Sequence, residues 1–500
     1  MLPVSSDGLT GELLRSLHTE QYQELVALAV SAEVQRPLSW KIIPVAVLRK
    51  PGAITLANNR LIAQQAVSRK LYLSALREII YSNIEQNLDF HMGGIRKGDL
   101  ASAWVARTHT ILCKTQEWGI PAIISFIDIS RAFATVDHAF LLQACISVGV
   151  DLQWIRLLHC EMSDTSIEMR HHGRSCGHIQ ISRGLIEGLP LSSLLLAIFL
   201  TFFWRLIRAT EIFSECCLRL PQGYGQSLVP IVPAGWVDDW ILAAPSIECM
   251  QLLLHFVIAR LEDLGMQLAQ SKIQWMAAGV KHFPNQLFVQ GTAIRRSDEV
   301  TYLGCCISHG GGLQHIDFRF RKMMGAWGAS QRTLRKHGAS NATFCKAADA
   351  IALPSLVWGL ESHVLTTNML MKVQQCYNSV LRSIFGRKRM YEAANWILTH
   401  SEIRSYFIQG KLTSPAVFLY KNQDRLIRFL NNRPHFDLNE ILEWRGVKWL
   451  HLQTRATRPA RSAVGTPPKY LDVEFSNRDK YSVNFRAYRF AQTHCVHPFS

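Results

Sequence analysis

IISFIDISRAFATVDH, residues 123–138, decides the fold of this chain. Its opening, Ile123–Ile129, is β-branched or aromatic apart from Ser125 and Asp128, the composition of a buried strand. A second acidic group stands at the edge of an apolar run in AGWVDDWIL, residues 234–242. Apolar residues on both sides of Asp238 and Asp239 predict a hairpin with two acids at its turn. Carboxylates amid apolar strands repel one another and resist burial unless something neutralises them. Three of them, from two strand ends, suit a pair of Mg²⁺ ions, with Mn²⁺ as a substitute, in phosphoryl-transfer chemistry.

Composition sets the frame. The 500 residues suffice for two to four domains, and 48% hydrophobic against 18% charged residues describes a folded chain. Lys and Arg number 54 against 38 Asp and Glu, a net charge of +16 that favours a polyanionic partner, nucleic acid ahead of a membrane surface. The twelve cysteines contain no CxxC pair, which argues for reduced thiols in an intracellular protein and against a zinc or disulfide framework. The N-terminus has no basic start followed by an apolar block, so no secretory signal is read there. Leu189–Trp204, LPLSSLLLAIFLTFFW, is nearly all apolar but shorter than the roughly 20 residues that span a bilayer. It reads as a buried helix opened by Pro190 in its first turn, and no membrane association is expected.

Along the chain, residues 1–40 read as a helical extension. WKIIPVAVL (40–48) reads as a strand, and a helical pattern follows from about Leu56 to Leu88. The cations Arg60, Arg69, Lys70 and Arg77 along that pattern form a solvated face, with one or two meeting phosphate. HMGGIRKGD (91–99) is a glycine-rich basic turn that could take phosphate. Strands are expected near 166–169 and 177–181, a helix at 247–264, and a strand pair in VTYLGCCIS (300–308). Beyond 313 come helices rich in Arg, Lys and Trp, at 315–336 and 369–385. The latter ends in GRKR (386–389), and a loose basic linker, RATRPARSAVGTPPK (455–469), lies further on.

The order of these segments resembles a reverse transcriptase of the non-LTR retrotransposon (LINE-like) type. The family's D-x-x-K/R-A-F-D-x-V-D-H motif is similar to Asp128–His138, its Q-G-x-P-L-S-P-L-L to Glu187–Leu195, and its x-A-D-D to Trp236–Asp239. Lys272 matches the lysine of the next motif and Tyr302-Leu303-Gly304 the primer-grip segment. The resemblance implies an α+β right-hand polymerase, with fingers and palm over 41–310, thumb and connection helices over 311–400, and a basic, partly disordered region over 401–500.

What it implies for the site follows residue by residue. Asp128 and Asp238 are the principal metal ligands, assisted by Asp239 and by the carbonyl of Ile129, a hard oxygen suited to Mg²⁺. Lys272 is the general acid near the leaving pyrophosphate. Lys50 and Arg60 hold the triphosphate. Phe133 lies under the incoming sugar, where its ring excludes a 2′-hydroxyl, and Gly188 and Glu187 border the nucleotide. The partners implied are an RNA template, a DNA primer and deoxynucleoside triphosphates in the nucleus or cytoplasm.

The chain departs from the family at three positions. Ala134 replaces a second aspartate, Glu187 a glutamine and Ser193 a proline. They keep two alternatives open: a catalytically inactive reverse-transcriptase-derived nucleic-acid-binding protein, and a group II intron maturase-like RNA-binding protein. Asp137 is expected to cap a helix with His138. Trp327, Trp358 and Trp396 read as core anchors.

Overall fold

In the computed structural model the strand Ala122–Ser130 is the centre of a six-stranded sheet. The structure describes residues 20, 38–48 and 60–433, apart from 118, 164, 172–173, 222–227, 280–282, 284–285, 310–311, 364 and 386–411. Most of the expected N-terminal extension lies outside the described residues, as do Lys50, the 386–389 cluster, Trp396 and the 455–469 linker.

The first six residues of that strand are buried on both faces, and exposure alternates only from Asp128 onward. A strand covered on both sides carries a continuous apolar run; the period-two pattern returns where one face opens. Asp239–Ala244 pairs antiparallel along one edge, while Gln267–Leu268 and Gln274–Ala278 share the other. Ala234–Trp236 and Met92–Gly93 complete the sheet.

One face, carrying Ile123, Ile127 and Ile129, packs on the helices Ser192–Arg208 and Ile247–Asp263. The other, carrying Ile124 and Phe126, packs on the helix Ala101–Glu117 and the strand pair Glu299–Tyr302 and Cys305–Ser308. Ser192–Arg208 is the apolar stretch weighed as a span. Leu194–Leu200 are all buried in the protein core, and among the described residues no helix is long and apolar enough to cross a membrane. This helix starts at Ser192, so Pro190 lies in the turn before it and not in its first turn.

A second sheet has the order Arg60–Ala63, Ile42–Leu48, Ser166–His171, Arg174–Gln180. Here the structure corrects the helix expected from Leu56: residues 60–63 are a strand, and the helix runs Val67–Ile84. The short apolar segment Leu61–Ala63 finds backbone partners in Val45–Val47, and this tertiary pairing overrides the local helical pattern. Arg69 is neither solvated nor turned toward a phosphate site. It is buried, paired with Glu161 at 2.9 Å, and donates to the carbonyl of Trp40.

The helices Gly312–Lys336, Asn341–Ala347, Leu353–Val357 and Thr367–Phe385 share a separate core around Trp327, Leu356 and Tyr377. A further helix, Pro415–Asn431, spans two cores. Leu419 and Tyr420 enter the helical one, and Leu426, Phe429 and Leu430 pack near Trp104 beneath the first sheet. Among the described residues the whole is an α+β right-hand polymerase arrangement of two larger sheets, three two-stranded ones and a helical region.

Candidate active site

The site is built on a strand register. Asp239 is the antiparallel partner of Asp128, so their side chains emerge on the same face. Asp238 occupies the two-residue turn between Ala234–Trp236 and Asp239–Ala244. That turn requires Val237 at φ 57°, a left-handed conformation that costs a β-branched residue about 1–2 kcal/mol. Three bonds hold it: Val237 N–H donates to Gly93 O at 3.2 Å, Trp240 Nε1 to Val237 O at 2.8 Å, and Ile129 N–H to Asp238 O at 3.2 Å. Strain kept by such external bonds is a mark of functional positions.

The three aspartates line a cleft of about 920 Å³. Burial first, and then the charges of Asp238 and Asp128, push the Asp239 carboxyl up to about 6, with Lys272 pulling the other way. Lys272 Nζ forms an ion pair with Asp128 Oδ2, so the lysine sits on the first aspartate itself. Among the described residues no group of three or more His, Cys, Asp or Glu is gathered tightly enough to hold a metal ion as it stands. The donor chemistry nevertheless fits a divalent ion. Three carboxylates, the hard oxygen donors that such an ion takes, line one cleft with Ile129, and the charges of Asp238 and Asp128 add to burial in raising Asp239.

Phe133 is half-buried against the core and lines the cleft with Glu187. Arg131 and Arg183, to which the sequence assigns no role, also line it. A short helix at 132–135 and a loop at 181–187 carry them there, a proximity invisible at a separation of fifty residues. Arg183 lies 3.9 Å from Asp137. Asp137 caps the helix His138–Ser147, accepting from Ala139 N–H at 2.9 Å and Phe140 N–H at 3.2 Å, while His138 Nε2 donates to Gly184 O at 2.9 Å.

Other expectations fall differently. Gly188, at φ +94°, faces the strand Arg60–Ala63: a Cβ would meet Ile62 Cγ2 at 3.2 Å. Its neighbour Glu187 accepts Ala63 N–H at 2.9 Å in a parallel bridge. The missing Cβ lets a protein strand approach at this position. Arg60 contributes backbone to that strand, and its side chain is not among those described. The turn at 91–99 offers no open phosphate site, because Gly94, Ile95 and Arg96 N–H all donate to Asp99 Oδ2 at 2.9–3.1 Å. Trp327 is a core residue, as expected, but Trp358 is 37% exposed.

The site thus brings together a register-matched acid pair, a third acid at a strained hairpin and a cleft lined by Arg131, Arg183 and Lys272. The family model for reverse transcriptase (RNA-dependent DNA polymerase) matches residues 48–307, just over half of the chain. The chain belongs to that family. Similar solved structures include a C-terminally truncated apo telomerase from Candida tropicalis, at 13% identity and TM-score 0.36, covering 58% of this chain and 58% of that one. The apo telomerase of the same organism is 12% identical with TM-score 0.39, over 94% and 74% of the two chains. Telomerase from Candida albicans with a fragment of telomeric RNA is 10% identical with TM-score 0.38, over 86% and 66%. No curated protein matches the chain.

Proposed function

We propose that this chain is an RNA-directed DNA polymerase of a retroelement of the LINE-like type, extending a DNA primer on an RNA template with deoxynucleoside triphosphates. The observation that carries the reading is the pairing of Asp128 with Asp239 across adjacent strands, with Asp238 at the turn, all at one cleft. Residues 41–310 would form fingers and palm, 311–400 thumb and connection.

Asp128, Asp238, Asp239 and the Ile129 carbonyl would hold two Mg²⁺. When bound, such a pair activates the attacking oxygen and stabilises the leaving one. The chain's own residues do the rest. Phe133 borders the sugar side of the cleft. Arg131 and Arg183 offer guanidinium groups to the triphosphate, planar donors matched to phosphate oxygens. Lys272 moves off Asp128 as the anionic nucleotide arrives and is then placed to give a proton to the leaving pyrophosphate.

The test is primer extension on an RNA template with wild type and Asp238→Ala, alongside template-primer affinity. We expect synthesis in wild type, a loss of about 10²–10³-fold in the variant on the scale of lost electrostatic stabilisation, and affinity unchanged within about twofold. Synthesis unaltered by Asp238→Ala overturns the site. Salt-dependent RNA binding with no synthesis in wild type supports instead the inactive nucleic-acid-binding protein.

A further inference from the structure

The short strand Met92–Gly93 braces the acidic hairpin. It lies parallel to Ala234–Trp236, and carbonyls on and beside it take two hairpin amides. Gly235 N–H donates to His91 O at 3.0 Å, and Val237 N–H donates to Gly93 O at 3.2 Å. The second bond falls on the strained residue next to Asp238. No side chain fits between brace and hairpin. A Cβ on Gly93 would fall 2.5 Å from Trp236 Cε3, and one on Gly94 2.9 Å from Val237 Cγ2. In packing this close, a shift of the brace is passed to the hairpin.

Two contacts fix the brace, and both lead to the helix Pro415–Asn431. Trp104 Nε1 donates to His91 O at 3.0 Å, and its ring lies 6.1 Å from that of Phe429 on that helix. On the other side stands Asp99, a buried carboxylate. Its Oδ2 accepts from Gly94, Ile95 and Arg96 N–H, and its Oδ1 meets Arg433 Nη2 at 3.7 Å. Arg433 lies two residues past the helix end, donates to Lys97 O at 3.3 Å and sets its guanidinium 5.8 Å from the Phe429 ring. Neither Asp99 nor Arg433 lines the acidic cleft, so their route to it runs through Gly94, Gly93 and Val237.

We propose that Asp99 and Arg433 are positioning residues for Asp238, by which the end of the helix Pro415–Asn431 sets where the third carboxylate stands. The proposal rests on the polymerase reading above for what the carboxylates hold. Oxygen donors to Mg²⁺ need a near-octahedral arrangement kept to about 0.5 Å, so a hairpin that drifts with its brace binds the ion less tightly.

The test compares the full chain as wild type, Arg433→Gln, Arg433→Lys, Asp99→Asn, the double variant Asp99→Asn with Arg433→Gln, and Asp238→Ala. The first readout is Mn²⁺ binding, followed by the electron paramagnetic resonance of the free ion, with Asp238→Ala defining the part that depends on the hairpin. The second is the Mg²⁺ concentration that half-saturates primer extension. We expect Arg433→Gln to weaken the Asp238-dependent Mn²⁺ binding about fivefold, the upper end for a partly exposed charge pair, and to raise the Mg²⁺ requirement alike. Arg433→Lys should recover part of that loss, and the double variant should bind no worse than Asp99→Asn alone, as residues of one chain of contacts do. Circular dichroism and urea midpoints report the folded fraction of each variant. A merely structural role would lower the number of Mn²⁺ sites in proportion to folded protein and leave their affinity unchanged; that result overturns the proposal. If wild type makes no DNA while Mn²⁺ affinity still responds to Arg433→Gln, the polymerase reading fails and the positioning stands. Mn²⁺ affinity indifferent to Arg433→Gln and Asp99→Asn removes the positioning, whatever wild type synthesises.

Discussion

Mild acid should loosen the junction between the sheets and the helical region well before it unfolds the first sheet. His109 on the helix Ala101–Glu117, His315 on Gly312–Lys336 and His363 after Ser362 form a buried cluster. The rings of His109 and His363 are 4.3 Å apart, and those of His315 and His363 are 5.8 Å apart. Burial pulls His109 down to about 3, His315 to about 4 and His363 well below its usual value. Neighbouring histidines add to the shift for His109 and His363, and Arg319 adds to it for His315.

A histidine whose folded pKa is depressed gives the fold its full stability above 6.5 and loses it as the unfolded state takes up protons below that. At about 1.36 kcal/mol per pH unit, each group costs roughly 2 kcal/mol at pH 5, and the three together about 6. Glu361 works the other way. Burial raises its carboxyl to about 6, so the penalty it imposes at neutral pH is relieved as pH falls through that value, returning about 1 kcal/mol at pH 5. A net loss of roughly 4–5 kcal/mol is large against typical domain stabilities of about 5–15 kcal/mol. Urea titrations at pH 7 and pH 5, read by tryptophan emission, measure it, with His363→Gln expected to reduce the pH slope by about one proton. Equal midpoints at the two pH values, or a slope untouched by His363→Gln, would refute the reasoning.

Three other outcomes follow from the site and its supports. Phe133→Ala should admit ribonucleotides, measured as the ratio of deoxy- to ribonucleotide incorporation; an unchanged ratio would make Phe133 a packing residue only. Glu187→Gln removes one carboxylate from the cleft and should lower the nucleotide KM by about threefold, the effect of one partly screened repulsion; a higher KM would mean that Glu187 contacts substrate productively. Arg69→Met leaves Glu161 buried without its guanidinium and should cost about 3–5 kcal/mol in denaturant unfolding, the usual result of breaking a buried pair. A change under 1 kcal/mol would show that the pair contributes little.

The strand at 122–130, the acidic hairpin, the helices 247–263 and 312–336 and the pair at 299–308 were legible because each carries its own periodicity or turn signal. What failed depended on partners distant in sequence. Leu61–Ala63 reads as helix until Val45–Val47 supplies its hydrogen bonds. Arg69 looks solvated until Glu161, 92 residues on, buries it. The hairpin Gln286–Val289 and Thr292–Arg295 went unread because its turn, Gln290-Gly291, lacks the usual Asn or Asp. Within the site, residue types could be picked out, but that Lys272 rests on Asp128 and that Gly188 serves a neighbouring strand are facts of three-dimensional pairing.

The helix Pro415–Asn431 bears on how this protein can be shortened. Because its first turns fill the helical core and its last turns cover Trp104, a chain cut anywhere between 386 and 411 would bare apolar surface on two separate bodies at once. Such a fragment would self-associate even with every cleft residue intact, and its silence in an assay would report solubility, not chemistry.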